Sequence, residues 1–276
     1  KKIIDSEDFS IIEKHYGLNK EANFENRWHL TVSNDVENIA KDSKIENKKL
    51  EDIVKKCNKA LLKERKLRTP PSLDKKQLAS WNALVIKGLA VSGRVLERKD
   101  YIQSARKSLE FIEKNQFDKN TLMACYISKM SKFPAYLDDH AFLLDAILEF
   151  LQSEWDTKLL HFAIKLADTL IDNSLDEKKG GFFFTRNNHE KLIFRSKPMS
   201  DDAMPSGNGI ACFALQRLGF LVGDEKYLRA SKKTLENGFN LLKESPHGHL
   251  NLLNTLEEHL DPPESIIIVG EKNKIS

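Results

Sequence analysis

The sequence predicts an all-α fold, an (α/α) toroid of helical hairpins, and three observations predict it. Aspartates recur at Asp74, Asp138 and Asp201, roughly 63 to 64 residues apart, inside the range of stacked structural repeats. Each heads a helix that is apolar on nearly every side. Each such helix leads through a charged turn into a second helix that is apolar on one face only.

Taken in order, the chain opens with a helix near Phe9 to His15 and an amphipathic one near Leu50 to Lys66. The first inner helix spans about Leu78 to Ser92. Its Leu78, Trp81, Leu84, Val85, Ile86, Leu89 and Val91 cover most of the circumference, and such a helix must sit among other helices. The next two inner helices run from His140 to Leu151 and from Asn208 to Val222. Outer helices follow at Asp100 to Lys114, Lys158 to Ile171 and Lys226 to Leu242, each with a wet face of Lys, Arg or Glu. Leu250 to His259 begins another inner helix, and Ile266 to Val269, between Pro262-Pro263 and Gly270, reads as a short strand. Three to four hairpins fall short of a closed ring of six. Residues 1–276 are therefore read as one partial toroid domain.

Composition excludes several classes. Forty-four basic side chains against forty-one acidic leave a net charge of +3, mixed along the chain, so neither nucleic acid nor a membrane surface is an expected partner. No apolar run approaches the ~20 residues of a membrane span. The start Lys1-Lys2-Ile3-Ile4-Asp5 lacks the apolar core of a secretion signal, which predicts a cytoplasmic location. Cys57, Cys125 and Cys212 form no C-x-x-C pair and adjoin no histidine cluster, so no metal and no cofactor are expected.

The long connections, Phe117 to Tyr136 and Leu175 to Pro205, should lie at one end of the ring, where loops on a rigid scaffold build sites. Gly180-Gly181-Phe182-Phe183-Phe184-Thr185 and Leu192-Ile193-Phe194-Arg195 suggest a small β-hairpin over that mouth. Asp74, Asp138, Asp139, Asp201 and Asp202 stand at the inner-helix starts and should converge there. Two readings of these acids stay open. Each caps its helix, or together they supply an acid and a base, or acceptors for sugar hydroxyls. In Asp138-Asp139-His140, one acid can cap while the other faces the cavity. Trp81 is either core or a stacking platform for a sugar ring. Asn82 bridges helices or meets a ligand. Ser206 and Asn208 are caps or ligand donors, His140 is an acid, a base or structural, and Arg195 is an anion contact or ordinary surface.

These residues also carry a resemblance. Arg68-x-Pro70-Pro71-Ser72-x-Asp74-Lys75, Ser80-Trp81-Asn82, Tyr136-Leu137-Asp138-Asp139-x-Ala141-Phe142-Leu143, Gly180-Gly181-Phe182-Phe183 and Asp201-x-Ala203-x-Pro205-Ser206-x-Asn208 follow one another in order. Together they resemble the thioredoxin-domain-containing spermatogenesis-associated protein 20 family, from about Phe9 to Gly270. The resemblance implies a toroid similar to six-hairpin glycosidases and N-acylglucosamine 2-epimerases. It places Lys75 with the ligand-binding residues and implies a thioredoxin-like domain, absent from this chain, as a partner in the full-length protein. Ala22, Ala83, His140 and Asp202 depart from the family's usual Gly, Gly, Tyr and Gly. Two functions are expected from this. One is glycoside hydrolase- or epimerase-like chemistry, with Asp138, Asp139, Asp74 and Asp201 catalytic and a carbohydrate or other small molecule as ligand. The other is a non-catalytic binding or scaffolding toroid.

Overall fold

The computed structural model describes residues 3–262 and 264. The chain divides into two compact units, Lys1–Asp74 and Lys75–Ser276. The expected strand at Ile266 to Val269 lies outside the described residues.

The first unit packs three helices, α1 (Ser6–His15), α2 (Val36–Ser43) and α3 (Asn47–Arg65). Ile11, Ile12, Ile39, Ala40, Leu50 and Cys57 fill the space between them. Helix α2 has no counterpart in the sequence reading. It is two turns long, and its buried side chains are Ile39 and Ala40, too short a pattern for periodicity to reveal.

The second unit is the hairpin array. Inner helices α4 (Ala79–Val95), α6 (Leu137–Leu151), α8 (Gly207–Val222) and α10 (Leu250–Leu260) lie side by side. Outer helices α5 (Lys99–Gln116), α7 (Thr157–Ser174) and α9 (Glu225–Glu244) each pack on the inner helix before them. Every helix anticipated here is present, and the array is an (α/α) arrangement of helical hairpins. The inner-helix starts are not evenly spaced, however. Asp138 lies inside its helix, whereas Asp201 precedes α8 by two turns' worth of loop.

Burial follows position in the layer. Helix α6, flanked by α4, α7 and α8, is buried along almost its whole length. Helix α4 has α6 on one flank only, and there the sequence reading is corrected. Trp81 and Val85, expected inside, are 60% and 61% exposed, while Ala83, Ile86 and Ala90 on the other flank are fully buried.

The small β-structure stands in a different mouth loop from the one expected. Strands β1 (Gln77–Leu78), β2 (Phe117–Asp118), β3 (Thr121–Ile127) and β4 (Met130–Pro134) form an antiparallel sheet in which β3 pairs with all three others. Its turns at Lys119-Asn120 and Ser128-Lys129 hold both central residues at positive φ, the geometry of a tight hairpin, but without the glycine that would have signalled it. The Gly180 to Arg195 segment makes no hairpin. Its glycines adopt positive φ, and its one bridge joins Leu175 to Phe182.

Candidate functional site

The inner-helix starts are stitched together by the aspartates. Asp139 Oδ1 accepts from the Ser80 backbone N–H at 3.0 Å, joining α4 to α6, and its Oδ2 accepts from the Tyr136 N–H at 3.0 Å. Asp201 Oδ1 accepts from the Ser206 N–H at 2.8 Å and from Asn251 Nδ2 at 2.8 Å, and its Oδ2 accepts from the Asn251 N–H at 3.0 Å, joining the entry of α8 to α10. Between them, Asp138 lies against Gly207 at the start of α8, so closely that a methyl group there would overlap its Oδ1. A side chain at position 207 would require the Asp138 carboxylate and Leu137 to move.

The two neighbouring acids therefore have different surroundings. Asp139 is buried and engaged by both oxygens. Burial raises its pKa, against the opposing effect of the Tyr136 and Ser80 N–H groups. Asp138 is half-buried, and among the described residues nothing donates a hydrogen bond to its carboxylate. Burial, followed by the negative charge of Asp139, pushes it up to about 6. A carboxyl group held near 6 is suited to exchanging protons around neutral pH.

Several of the residues expected near the mouth make hydrogen bonds within the chain. Asn208 is fully buried. Its Oδ1 accepts from the Phe182 N–H at 2.6 Å, and its Nδ2 donates to the carbonyls of Phe182 at 2.9 Å and Pro198 at 2.8 Å. Ser206 caps α8 by accepting from the Gly209 N–H at 3.2 Å. Asn82 Nδ2 donates to the carbonyl of Leu78, four positions earlier at the head of α4, at 2.8 Å. His140 is buried, with Nδ1 bonded to the Tyr136 carbonyl at 3.0 Å, and burial pushes it down to about 4. Arg195 donates to the Thr185 carbonyl and lies over the Phe183 ring, 4.2 Å from its centroid. Asp202 and Lys75 are exposed, and Asp74 is the last residue of the first unit. Trp81, in the first turn of α4, is 60% exposed.

The array also contains a charged ladder that was not foreseen. Asp145 and Glu149 follow Asp138 by seven and eleven positions, which at about 3.6 residues per turn sets all three on one face of α6. Lys87 on α4 meets Asp145 at 2.7 Å, and Arg217 on α8 meets Glu149 at 2.7 Å and Asp145 at 3.8 Å. Arg94 on α4 reaches Glu149 at 3.3 Å. Burial pushes the Glu149 carboxyl up, but Arg217 and Arg94 outweigh it and hold the group below its ordinary value. The available signal was a charge set inside otherwise apolar helices: Lys87 in α4, Asp145 and Glu149 in α6.

Among the described residues no helix is long and apolar enough to cross a membrane, and no group of three or more His, Cys, Asp or Glu is placed to hold a metal ion.

No family model matches the chain. Human spermatogenesis-associated protein 20 is 25% identical over 95% of this chain, which spans 36% of that protein's length. An uncharacterised Caenorhabditis elegans protein is 26% identical over 76% of this chain and 30% of its own length. Among solved structures, a GH76 α-mannanase of Bacteroides thetaiotaomicron matches with a TM-score of 0.53 at 15% identity, over 70% of this chain and 55% of that one. A sugar epimerase from a ruminal bacterium matches with a TM-score of 0.50 at 14% identity, over 61% and 45%. The motifs, the hairpin array and these likenesses agree: the chain is similar to spermatogenesis-associated protein 20 over about a third of that protein's length, and its fold is like that of six-hairpin glycosidases.

Proposed function

We propose that the second unit binds a carbohydrate at the inner-helix starts and acts on it with glycosidase- or epimerase-like chemistry, Asp138 serving as the proton-exchanging acid. One observation carries this reading. Asp138 is the mouth carboxylate of the second unit that is half-buried, held near 6 and, among the described residues, left without a hydrogen-bond donor, while Asp139 and Asp201 are fixed on backbone N–H groups. In this reading Asp139 and Asp201 are positioning residues, which hold the helix starts that carry Asp138. Trp81, exposed in the first turn of α4, is the stacking surface for a sugar ring. The likeness to an α-mannanase and a sugar epimerase supports a sugar ligand.

A second reading, a non-catalytic toroid that presents a ligand to a thioredoxin-like domain in the full-length protein, is favoured by the engagement of Asp139 and Asp201 in structure alone. One experiment separates the two. The full-length protein and its Asp138→Asn variant are screened for thermal stabilisation by mono- and oligosaccharides, and the stabilising sugars are then followed for turnover. Turnover that Asp138→Asn abolishes while stabilisation persists establishes the catalytic reading. Stabilisation without turnover in either protein leaves the binding toroid, and no stabilisation by any sugar ends the carbohydrate reading.

A further inference from the structure

In the first unit, Trp28 is 46% exposed although its ring is pinned, because its Nε1–H donates to the Lys20 carbonyl at 3.1 Å. Asn23 brackets the next residue. Its Oδ1 accepts from the His29 N–H at 2.7 Å, and its Nδ2 donates to the His29 carbonyl at 2.9 Å. The Phe24 ring stacks on the His29 imidazole, with centroids 4.4 Å apart. Residues 23–29 thus form a fixed aromatic wall.

That wall faces the end of α3 across a groove of about 800 Å³. Small-molecule sites commonly measure roughly 300–1,000 Å³. Trp28, Leu30, Leu61 and Leu62 supply its apolar surface, while His29, Asn58, Arg65 and Arg68 supply its polar groups. The groove continues past Leu62 along Lys66 and residues 69–71, with Arg65 and Arg68 lining both parts.

No carboxylate lines either part. Among the described residues, neither the Arg65 nor the Arg68 guanidinium makes an ion pair or a hydrogen bond. Asn58 Oδ1 accepts from the Tyr16 hydroxyl at 2.9 Å, which leaves its Nδ2–H groups to donate. The stretch around the groove carries Lys59, Lys63, Arg65, Lys66 and Arg68 against Glu64 alone, a field that draws anions. Lys63 and Arg65 also suit the negative end of α3, but Arg68 lies past it.

These properties narrow the ligand. A metal ion has no acid here to bind it. A neutral sugar would leave the two guanidinium charges uncompensated, and a bare phosphate would leave the apolar wall open. Guanidinium groups hold phosphate oxygens through paired N–H groups, and an aromatic side chain stacks on a nucleobase of any kind. We infer that the groove binds a mononucleotide, with its base against Trp28 and its phosphate held by Arg65 and Arg68. Every lining residue belongs to the first unit, so this site does not depend on Asp138 or on a sugar ligand.

The test is calorimetric titration of the full-length protein with AMP, with adenosine and with ribose 5-phosphate. Saturable binding of AMP is expected, weakened by about tenfold or more when either the base or the phosphate is missing. The double variant Arg65→Gln, Arg68→Gln and the single variant Trp28→Leu should each weaken AMP binding by about as much. If Trp28→Leu disturbs the fold, the exposed arginine pair decides alone. No saturable heat with AMP overturns the site, as does AMP binding that the arginine variant retains in full. Adenosine or ribose 5-phosphate binding as tightly as AMP also overturns it. Arginine-dependent binding of a peptide of alternating glutamate and leucine, without binding of AMP, overturns the nucleotide and assigns the groove to an acidic polypeptide.

Discussion

Asp139 accepts the backbone N–H of Ser80, 59 positions earlier in the chain, and so ties the first turn of one inner helix to the first turn of the next. The other oxygen of the same carboxylate holds the Tyr136 N–H. Removing it leaves two N–H groups without their acceptor in a covered place, each costing roughly 1–3 kcal/mol. Asp139→Ala should accordingly lose about 2–4 kcal/mol in urea unfolding, and Asp139→Asn, which keeps one acceptor oxygen, should lose less. An Asp139→Ala protein as stable as the parent would show that the helix starts are held by something else.

Asp138 should behave in the opposite sense, and only above a certain pH. Its folded-state pKa of about 6 lies above its ordinary 3.8, so the folded chain binds this proton more tightly than the unfolded chain does. The contribution to stability is fully present below about pH 4, falls as pH rises through about 6, and stays low above that. Asp138→Asn has no such fall. Relative to the parent, its unfolding free energy should gain up to about 3 kcal/mol between pH 4 and pH 8. A pH-independent difference between the two proteins would mean that Asp138 titrates as an ordinary surface acid.

These two acids show how far the sequence could be read. That one of a neighbouring pair would be engaged and the other left free follows from two carboxylates at one helix start. Which is which depends on the α4 terminus lying beside the third residue of α6, and no local pattern reports that. The hairpins were legible because apolar side chains recur with helical period from Leu78 to Leu260. The sheet was missed because its tight turns use Lys119-Asn120 and Ser128-Lys129 in place of glycine. Conversely, Gly180 and Gly181 suggested a hairpin, but the backbone groups of Phe182 that a strand partner would need are held by Asn208. The charged ladder was illegible for another reason: its significance lies in which partners its residues meet across helices.

Asn208 makes a prediction about the mouth loop. Three hydrogen bonds to Phe182 and Pro198, made with no exposure, fasten the two ends of the mouth loop to the start of α8. Asn208→Ala should cost about 2–4 kcal/mol and open residues 183–198 to limited proteolysis well before the helices unfold. If cleavage in that loop is no faster than in the parent, the loop is held elsewhere.

The ladder across α4, α6 and α8 makes a prediction about coupling rather than total stability. Asp145 is 2% exposed and has Lys87 at 2.7 Å and Arg217 at 3.8 Å. Removing Lys87 alone leaves a carboxylate in a covered place with a weaker counter-charge, and Lys87→Met should cost about 3–5 kcal/mol. Asp145→Leu alone leaves Lys87 without its acid, but Lys87 is a third exposed and recovers solvent, so this variant should cost less. With both changed, neither charge is stranded, and Met against Leu buries well between the two helices. The double variant should then be closer to the parent than the sum of the single changes predicts, with a coupling energy of roughly 1–3 kcal/mol. Additive losses in the cycle would show that Lys87 and Asp145 do not act as a pair, and that Arg217 alone compensates Asp145.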